Sequence, residues 1–260
     1  MTLRILMADS SADQTGSSRI PTGIPGLDKL LTGGLPRNRT ILLSGGPGTG
    51  KTILSSQYLV NGILDYEEPG VYVSLDENKE HVYEEMLDFG WDFQELENNK
   101  KLIFLEASPI RYLPAEIKVG KLMVDRKQFS MATLIEMIKT SVKEIGARRI
   151  VVDPVTTLVF QYDGVPAQRN ALVELLEALA DTGATCLITT ELRRPGFERS
   201  IDYEEYLAHG VILLQQLQVG KSLLRVIQIE KMRKTPVDNQ PRPYRITDTG
   251  IEVFPRESVL

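Results

Sequence analysis

The sequence predicts an α/β domain with a mostly parallel sheet covered by helices on both faces. Three observations carry this. Short apolar runs alternate with helical periods from Ile41 to Thr189. Those runs are continuously apolar, the pattern of strands buried on both sides. A glycine-rich run, Gly45-Gly46-Pro47-Gly48-Thr49-Gly50-Lys51-Thr52, stands between apolar Ile41-Leu42-Leu43 and a helix-compatible stretch, Ile53 to Leu64. A strand, a glycine loop and a helix in that order form a phosphate-binding unit.

Taken in order, Val71–Leu75 reads as a strand and Asn78–Phe89 as a helix closed by Gly90. Leu102–Leu105 is a strand. Met131–Ile145 is a helix with Met131, Leu134, Ile135, Ile138, Val142 and Ile145 at the spacing of one face. Ile150–Asp153 is a strand, and Pro166–Ala180 a helix opened by proline and lined by Leu172, Leu175, Leu176 and Leu179. Ala184–Thr189 is the next strand. After Gly210 the pattern changes. Val211–Gln218, a turn at Gly220 and Leu223–Glu230 read as an antiparallel hairpin, followed by short strands at Tyr244–Thr247 and Ile251–Phe254. Antiparallel strands thus extend one edge of the parallel core. Residues 107–129 hold Pro109, Pro114 and Gly120 with no period, and read as a functional or mobile loop. Residues 1–18 read as a polar leader, and 19–260 as a single domain.

Composition narrows the function. With 42% hydrophobic and 25% charged residues in 260, the chain has the makeup of a soluble globular protein. No apolar run is long enough to cross a bilayer. The lone Cys186 excludes a disulfide within the chain and suits a cytoplasmic setting. One cysteine and two histidines argue against a transition-metal site. A net charge of −5 argues against a broad nucleic-acid surface, though not against a small basic patch inside a ring.

The loop defines the chemistry. Glycines let successive N–H groups turn toward phosphate oxygens, and the following helix N-terminus adds partial positive charge. Lys51 is placed to reach the β- and γ-phosphates of a nucleotide, and the Thr52 hydroxyl to ligate Mg2+. Ligands of an open parallel sheet sit beyond the carboxyl ends of its strands, where three further features fall. Asp153 closes the run Ile150-Val151-Val152 and reads as the second Mg2+ anchor, through water. Asp76 and Glu77 follow a strand directly; they could orient and deprotonate the attacking water, or simply begin a helix with acidic residues. Thr189, Thr190 and Glu191 end the last parallel strand. The threonines could sense a γ-phosphate or be ordinary β-branched strand residues.

Beyond the loop, the chain carries Thr22-Gly23-Ile24-Pro25-Gly26-Leu27-Asp28, Gly33-Gly34-Leu35-Pro36, Phe89-Gly90-Trp91, Gln161-Tyr162-Asp163, Thr189-Thr190-Glu191, Lys231-Met232-Arg233 and Ile246-Thr247-Asp248. In this order the phrases resemble the KaiC-like branch of the RecA superfamily over residues 19–255. The family's clock members carry two such domains in tandem. This chain carries one, and is similar to the single-domain archaeal members. The resemblance implies a RecA-like core and ATP with Mg2+, the nucleotide held by Gly45 to Ile53 together with Met232. It implies a homo-oligomer, a hexameric ring with nucleotide between neighbours. Lys231 and Arg233 would then reach the nucleotide of the adjacent subunit, where a guanidinium offsets charge on the transferring phosphoryl group.

The chain departs from the family pattern twice. Asp76-Glu77 stands where the family has a Glu-Glu pair, which shortens by one methylene the carboxylate assigned as base; turnover is expected to be slow, or Glu77 to substitute. The autokinase members carry adjacent Ser and Thr where this chain reads Tyr203-Glu204-Glu205-Tyr206-Leu207, so autophosphorylation is not expected at that Ser/Thr site, with Tyr203 and Tyr206 the remaining conceivable acceptors. The favoured function is a ring ATPase acting as a nucleotide-driven switch or assembly factor with an unknown protein partner. One alternative is a scaffold that holds ATP with little turnover. Another is a recombinase-like protein binding single-stranded DNA through Thr156–Arg169 and Leu192–Arg199. The second loop holds Arg193, Arg194, Phe197 and Arg199, but Glu198, Asp202, Glu204 and Glu205 lie close by, and the whole chain is acidic.

Overall fold

The apolar runs become the strands of one sheet in the computed structural model, which describes residues 18–107, 116–119, 122–125, 131–191, 203–220 and 222–259. β1 (Arg19–Ile20), α1 (Leu27–Leu30) and β2 (Leu35–Pro36) precede the core. The core begins with β3 (Thr40–Gly45), α2 (Lys51–Tyr66), β4 (Gly70–Ser74), α3 (Lys79–Leu87), α4 (Phe93–Asn98) and β5 (Leu102–Glu106). A small hairpin, β6 (Glu116–Val119) and β7 (Leu122–Asp125), leads to α5 (Met131–Ile145). Next come β8 (Arg149–Asp153), α6 (Val155–Val159), α7 (Val165–Asp181) and β9 (Thr185–Glu191). The chain ends with α8 (Tyr203–Leu207), β10 (Gly210–Val219), β11 (Ser222–Met232), β12 (Arg242–Thr247) and β13 (Gly250–Val253).

Among the described residues, nine strands form one sheet in the order β13-β12-β11-β10-β3-β9-β8-β4-β5. From β10 to β5 every neighbouring pair is parallel. From β10 to β13 every pair is antiparallel. The expected antiparallel extension therefore begins at β11, because β10 is itself the parallel partner of β3. A hairpin pattern in sequence cannot reveal which strand its first arm also joins.

Alternation along each strand divides the core between two layers. Ile41, Leu43, Tyr72, Val151, Leu187 and Ile212 face α2, packing with Leu54, Tyr58, Leu59 and Ile63. Leu42, Val71, Val73, Ile150, Val152, Cys186 and Ile188 face the other way, toward Leu134, Ile138, Leu172 and Leu175. Each such Leu or Ile contributes roughly 1.5–3 kcal/mol by leaving water. Cys186 is fully buried, and burial pushes its thiol up to about 12, which makes it an inert hydrophobe.

Helix ends follow local chemistry. The Asn78 side chain accepts from the His81 N–H and starts α3. The Asp92 side chain accepts from the Glu95 N–H and starts α4, a helix too short for periodicity to reveal. The hairpin of β6 and β7 lies within the stretch read as a connection; most of the rest of that stretch lies outside the described residues, as do residues 1–17 of the leader.

One buried charge ties the layers together. Arg149 is wholly buried; it pairs with Glu68 at 2.7 and 2.9 Å and donates to the carbonyls of Tyr58 and Pro21, both at 2.8 Å. Its side chain passes so close to α2 that a Cβ on Gly62 would lie 2.2 Å from Arg149 Nε. Glycine is required at that crossing.

Candidate active site

The glycine loop leaves β3 and enters α2 with Gly50 as the helix cap at φ 84°, a left-handed conformation that glycine adopts without steric cost. The loop is braced by the late strands. Tyr244 donates its hydroxyl to the Thr49 carbonyl, Gln216 Nε2 donates to the Gly48 carbonyl at 3.4 Å, and Ile246 packs beneath Gly50. Within the loop the Thr49 hydroxyl donates to the Gly46 carbonyl at 2.8 Å. Lys51 Nζ donates to the carbonyls of Gly45 at 2.9 Å and Gly46 at 3.2 Å. Burial lowers the Lys51 ammonium below its usual range, against the opposing pull of Asp153 and Glu191.

One pocket gathers the chemistry. Lys51, Thr52, Tyr72, Ser74, Asp76, Glu77, Asp153 and Glu191 line it, from the ends of β4, β8 and β9 and the start of α2. This is the carboxyl end of the parallel sheet, where ligands of such sheets sit. Val82 of α3 and Pro154 complete the lining.

Asp153 is buried, and both its oxygens are engaged. The Tyr72 hydroxyl donates to Oδ2 at 2.8 Å, and the Thr189 hydroxyl donates to Oδ1. Burial first, then the charge of Asp153, raises the Tyr72 phenol well above its ordinary value, so it keeps its proton. Thr190 shares a hydrogen bond with Thr156 at 3.0 Å, and the Thr156 hydroxyl accepts from the Glu191 N–H. The two threonines thus serve the strand end and Asp153 in this chain. Sequence reasoning passed over Tyr72 among the pocket residues, along with Ser74, Val82 and Pro154. The signal for Tyr72 was a lone hydroxyl in the buried run Val71-Tyr72-Val73, since a buried phenol needs a partner.

Asp76 and Glu77 are exposed at the mouth. The Ser74 hydroxyl donates to the Glu77 carbonyl at 2.6 Å, and its oxygen accepts from the Glu77 N–H at 3.2 Å, pinning the turn to β4. Partial desolvation of its carboxyl, then the charges of Glu85, Asp153 and Asp76, raise Glu77 above the usual carboxylate value, with His81 opposing.

The remaining expected residues lie elsewhere. Ile53, in the first turn of α2, packs against the core. Met232 is buried in the core, its sulfur within 2.5 Å of where a Gly210 Cβ would stand, and it does not line this pocket. Lys231 and Arg233 end β11 away from the pocket. Lys231 Nζ donates to the carbonyls of Glu205 at 3.0 Å, Tyr206 at 3.3 Å and Ala208 at 2.8 Å. Arg233 Nη2 donates to the Tyr206 carbonyl at 3.4 Å. Burial and the neighbouring Arg233 lower the Lys231 ammonium, with Glu205 opposing. Of the two loops considered for DNA, Thr156–Arg169 forms α6 and the start of α7, while Leu192–Arg199 lies outside the described residues. No helix among the described residues is long and apolar enough to cross a membrane.

Comparison with known proteins agrees with this geometry. The family model described as "ATPase: KaiC" matches residues 20–258. The UPF0273 protein MJ1359 of Methanocaldococcus jannaschii is 36% identical over 245 residues, covering 91% of this chain and 96% of that protein. The circadian clock oscillator protein KaiC of Synechococcus elongatus is 34% identical over 248 residues, covering 95% of this chain. The chain spans only 46% of that clock protein, about half its length. Among solved structures, the KaiC-like protein PH0186 of Pyrococcus horikoshii OT3 superposes with a TM-score of 0.77 at 33% identity, covering 91% of this chain and 99% of that one. The nine-stranded sheet of this chain, its glycine loop and the extent of these matches agree: the chain belongs to the KaiC ATPase family, with the family's RecA-type fold.

Proposed function

We propose that this chain binds ATP with Mg2+ and hydrolyses it slowly as a ring-forming, nucleotide-driven switch or assembly factor of the cytoplasm. One observation carries the reading. Lys51, Thr52, Asp76, Glu77 and Asp153 line one pocket, while Lys231 and Arg233 sit on a different part of the same chain. That division suits a site shared between neighbours, in which one subunit supplies the loop and carboxylates and the next supplies the cations.

The residues present fit Mg2+. The donor set is a hydroxyl and a carboxylate, both oxygen. No cluster of three acidic, His or Cys side chains able to hold an ion alone occurs among the described residues. Such a site suits a cation held jointly by protein, water and phosphate. Thr52 would ligate it and Asp153 would hold its water, and the ion would supply positive charge against the phosphate oxygens. Lys51 would exchange its loop carbonyls for β- and γ-phosphate oxygens. Glu77 is the favoured carboxylate to orient and deprotonate water, since its backbone is pinned and its carboxyl is raised toward neutral pH.

Phosphate release with and without Mg2+, beside sizing chromatography with and without ATP, tests the proposal. Lys51→Ala is expected to lose roughly 10²–10³-fold in turnover. Turnover equal to the parent would refute it. Assembly on ATP without measurable turnover would favour the scaffold.

A further inference from the structure

The two hydroxyls on Asp153 point to a role that the loop motif does not contain. Asp153 ends β8, with Ser74 of β4 as its register partner. Side chains alternate, so Tyr72, two residues before Ser74, shares the face that carries Asp153. On the other flank Val152 pairs with Ile188, which places Thr189 of β9 beside Asp153. One donor therefore reaches the carboxylate from each neighbouring strand.

Neither donor is free to swing. Tyr72 is 1% exposed, stacked on Phe104 with ring centres 5.2 Å apart and edge-on to Phe93 at 5.9 Å. Thr189 is 0% exposed, its backbone paired with Leu43 of β3. The Tyr72 hydroxyl donates to Oδ2 and the Thr189 hydroxyl to Oδ1, one bond to each oxygen. A carboxylate oxygen offers two lone pairs, so each keeps capacity for a further partner. Rotation about the Asp153 side chain would break both bonds in a buried setting, where an unmade hydrogen bond is costly.

We propose that Tyr72 and Thr189 are positioning residues of the metal site, holding the Asp153 carboxylate in one rotation so that it accepts from the water shell of a divalent cation. This rests on Asp153 being the second anchor of Mg2+. Neighbours that orient a metal-binding carboxylate typically govern 10–100-fold in affinity or activity.

Mn2+ serves as the probe, titrated by electron paramagnetic resonance into the full chain with a non-hydrolysable ATP analogue. Tyr72→Phe keeps the ring stack and removes only the hydroxyl. Tyr72→Phe and Thr189→Val are each expected to weaken Mn2+ binding by roughly tenfold, and Thr189→Ser to restore it. If both hydroxyl deletions bind Mn2+ like the parent while Asp153→Asn weakens it, the positioning role is overturned and the anchor stands. A fall in melting temperature with unchanged Mn2+ affinity overturns it equally, since the hydroxyls would then be structural. If Asp153→Asn itself binds Mn2+ normally, anchor and positioning roles fall together.

Discussion

Glu77→Gln tests the catalytic reading of the pocket most directly. Asp76 and Glu77 both line it, but Ser74 fixes the backbone of Glu77 through two hydrogen bonds, and Glu77 has the longer reach. Its carboxyl is raised above the usual carboxylate value, first by desolvation and then by Glu85, Asp153 and Asp76, which makes it a stronger base. A positioned general base contributes roughly 10²–10⁴-fold. At about 1.36 kcal/mol per decade that is about 2.7–5.4 kcal/mol of the barrier.

Glutamine keeps the length and removes the base, so kcat should fall by that factor while nucleotide affinity stays within about twofold. Stability should move differently. A carboxyl whose folded pKa lies above its unfolded value stabilises below the unfolded pKa, and that contribution is lost as pH rises through the folded one. Above its folded value the ionised Glu77 is therefore an unfavourable charge in the nucleotide-free protein. Glu77→Gln should leave the melting temperature unchanged or raise it. The assay is single-turnover phosphate release across pH at saturating Mg-ATP, beside thermal melts. The parent rate should climb with pH through the raised carboxyl value, and the variant should lose that limb. If Asp76→Asn costs a hundredfold or more and Glu77→Gln does not, Asp76 is the base and the assignment is refuted.

Two further outcomes follow from other parts of the chain. Lys51→Ala and Arg233→Ala should each be inactive alone. Mixed in equal amounts, they should regain activity, because roughly a quarter of randomly assembled interfaces pair an intact loop with an intact cation; no recovery would refute a shared site. Arg149→Met takes away the partner of Glu68 Oε2, leaving Arg37 on Oε1 at 3.2 Å, and strands the carbonyls of Pro21 and Tyr58. With Arg37 still on the carboxylate, the cost falls at the low end of the range for a buried pair broken from one side, about 3 kcal/mol, which at about 2–4 °C per kcal/mol lowers the melting temperature by about 6–12 °C. A drop under ~3 °C would show that water reaches the site.

Much of the fold was legible because its signals are local. α5 runs over Met131–Ile145, the span its apolar spacing predicts, and β4 and β8 fall within one residue of their apolar runs. The glycine loop announced itself by its residue types and by its place between an apolar strand and a helix. What escaped lacked a local period: α4 and α6 are too short for one, and β1 and β2 have two residues each.

The sequence by itself determined the α/β class, the two-faced burial of the strands, the glycine loop between strand and helix, and the family. Each depends on residue type at short spacing, which chain chemistry specifies before folding. Only the tertiary structure decided that β10 belongs to the parallel core, and that Tyr72 and Thr189 meet on Asp153 from strands on either side. It also decided that Lys231 and Arg233 cap α8 carbonyls away from the pocket of their own chain. Tyr72 and Asp153 are 81 residues apart. No local pattern connects residues so distant; register between neighbouring strands does.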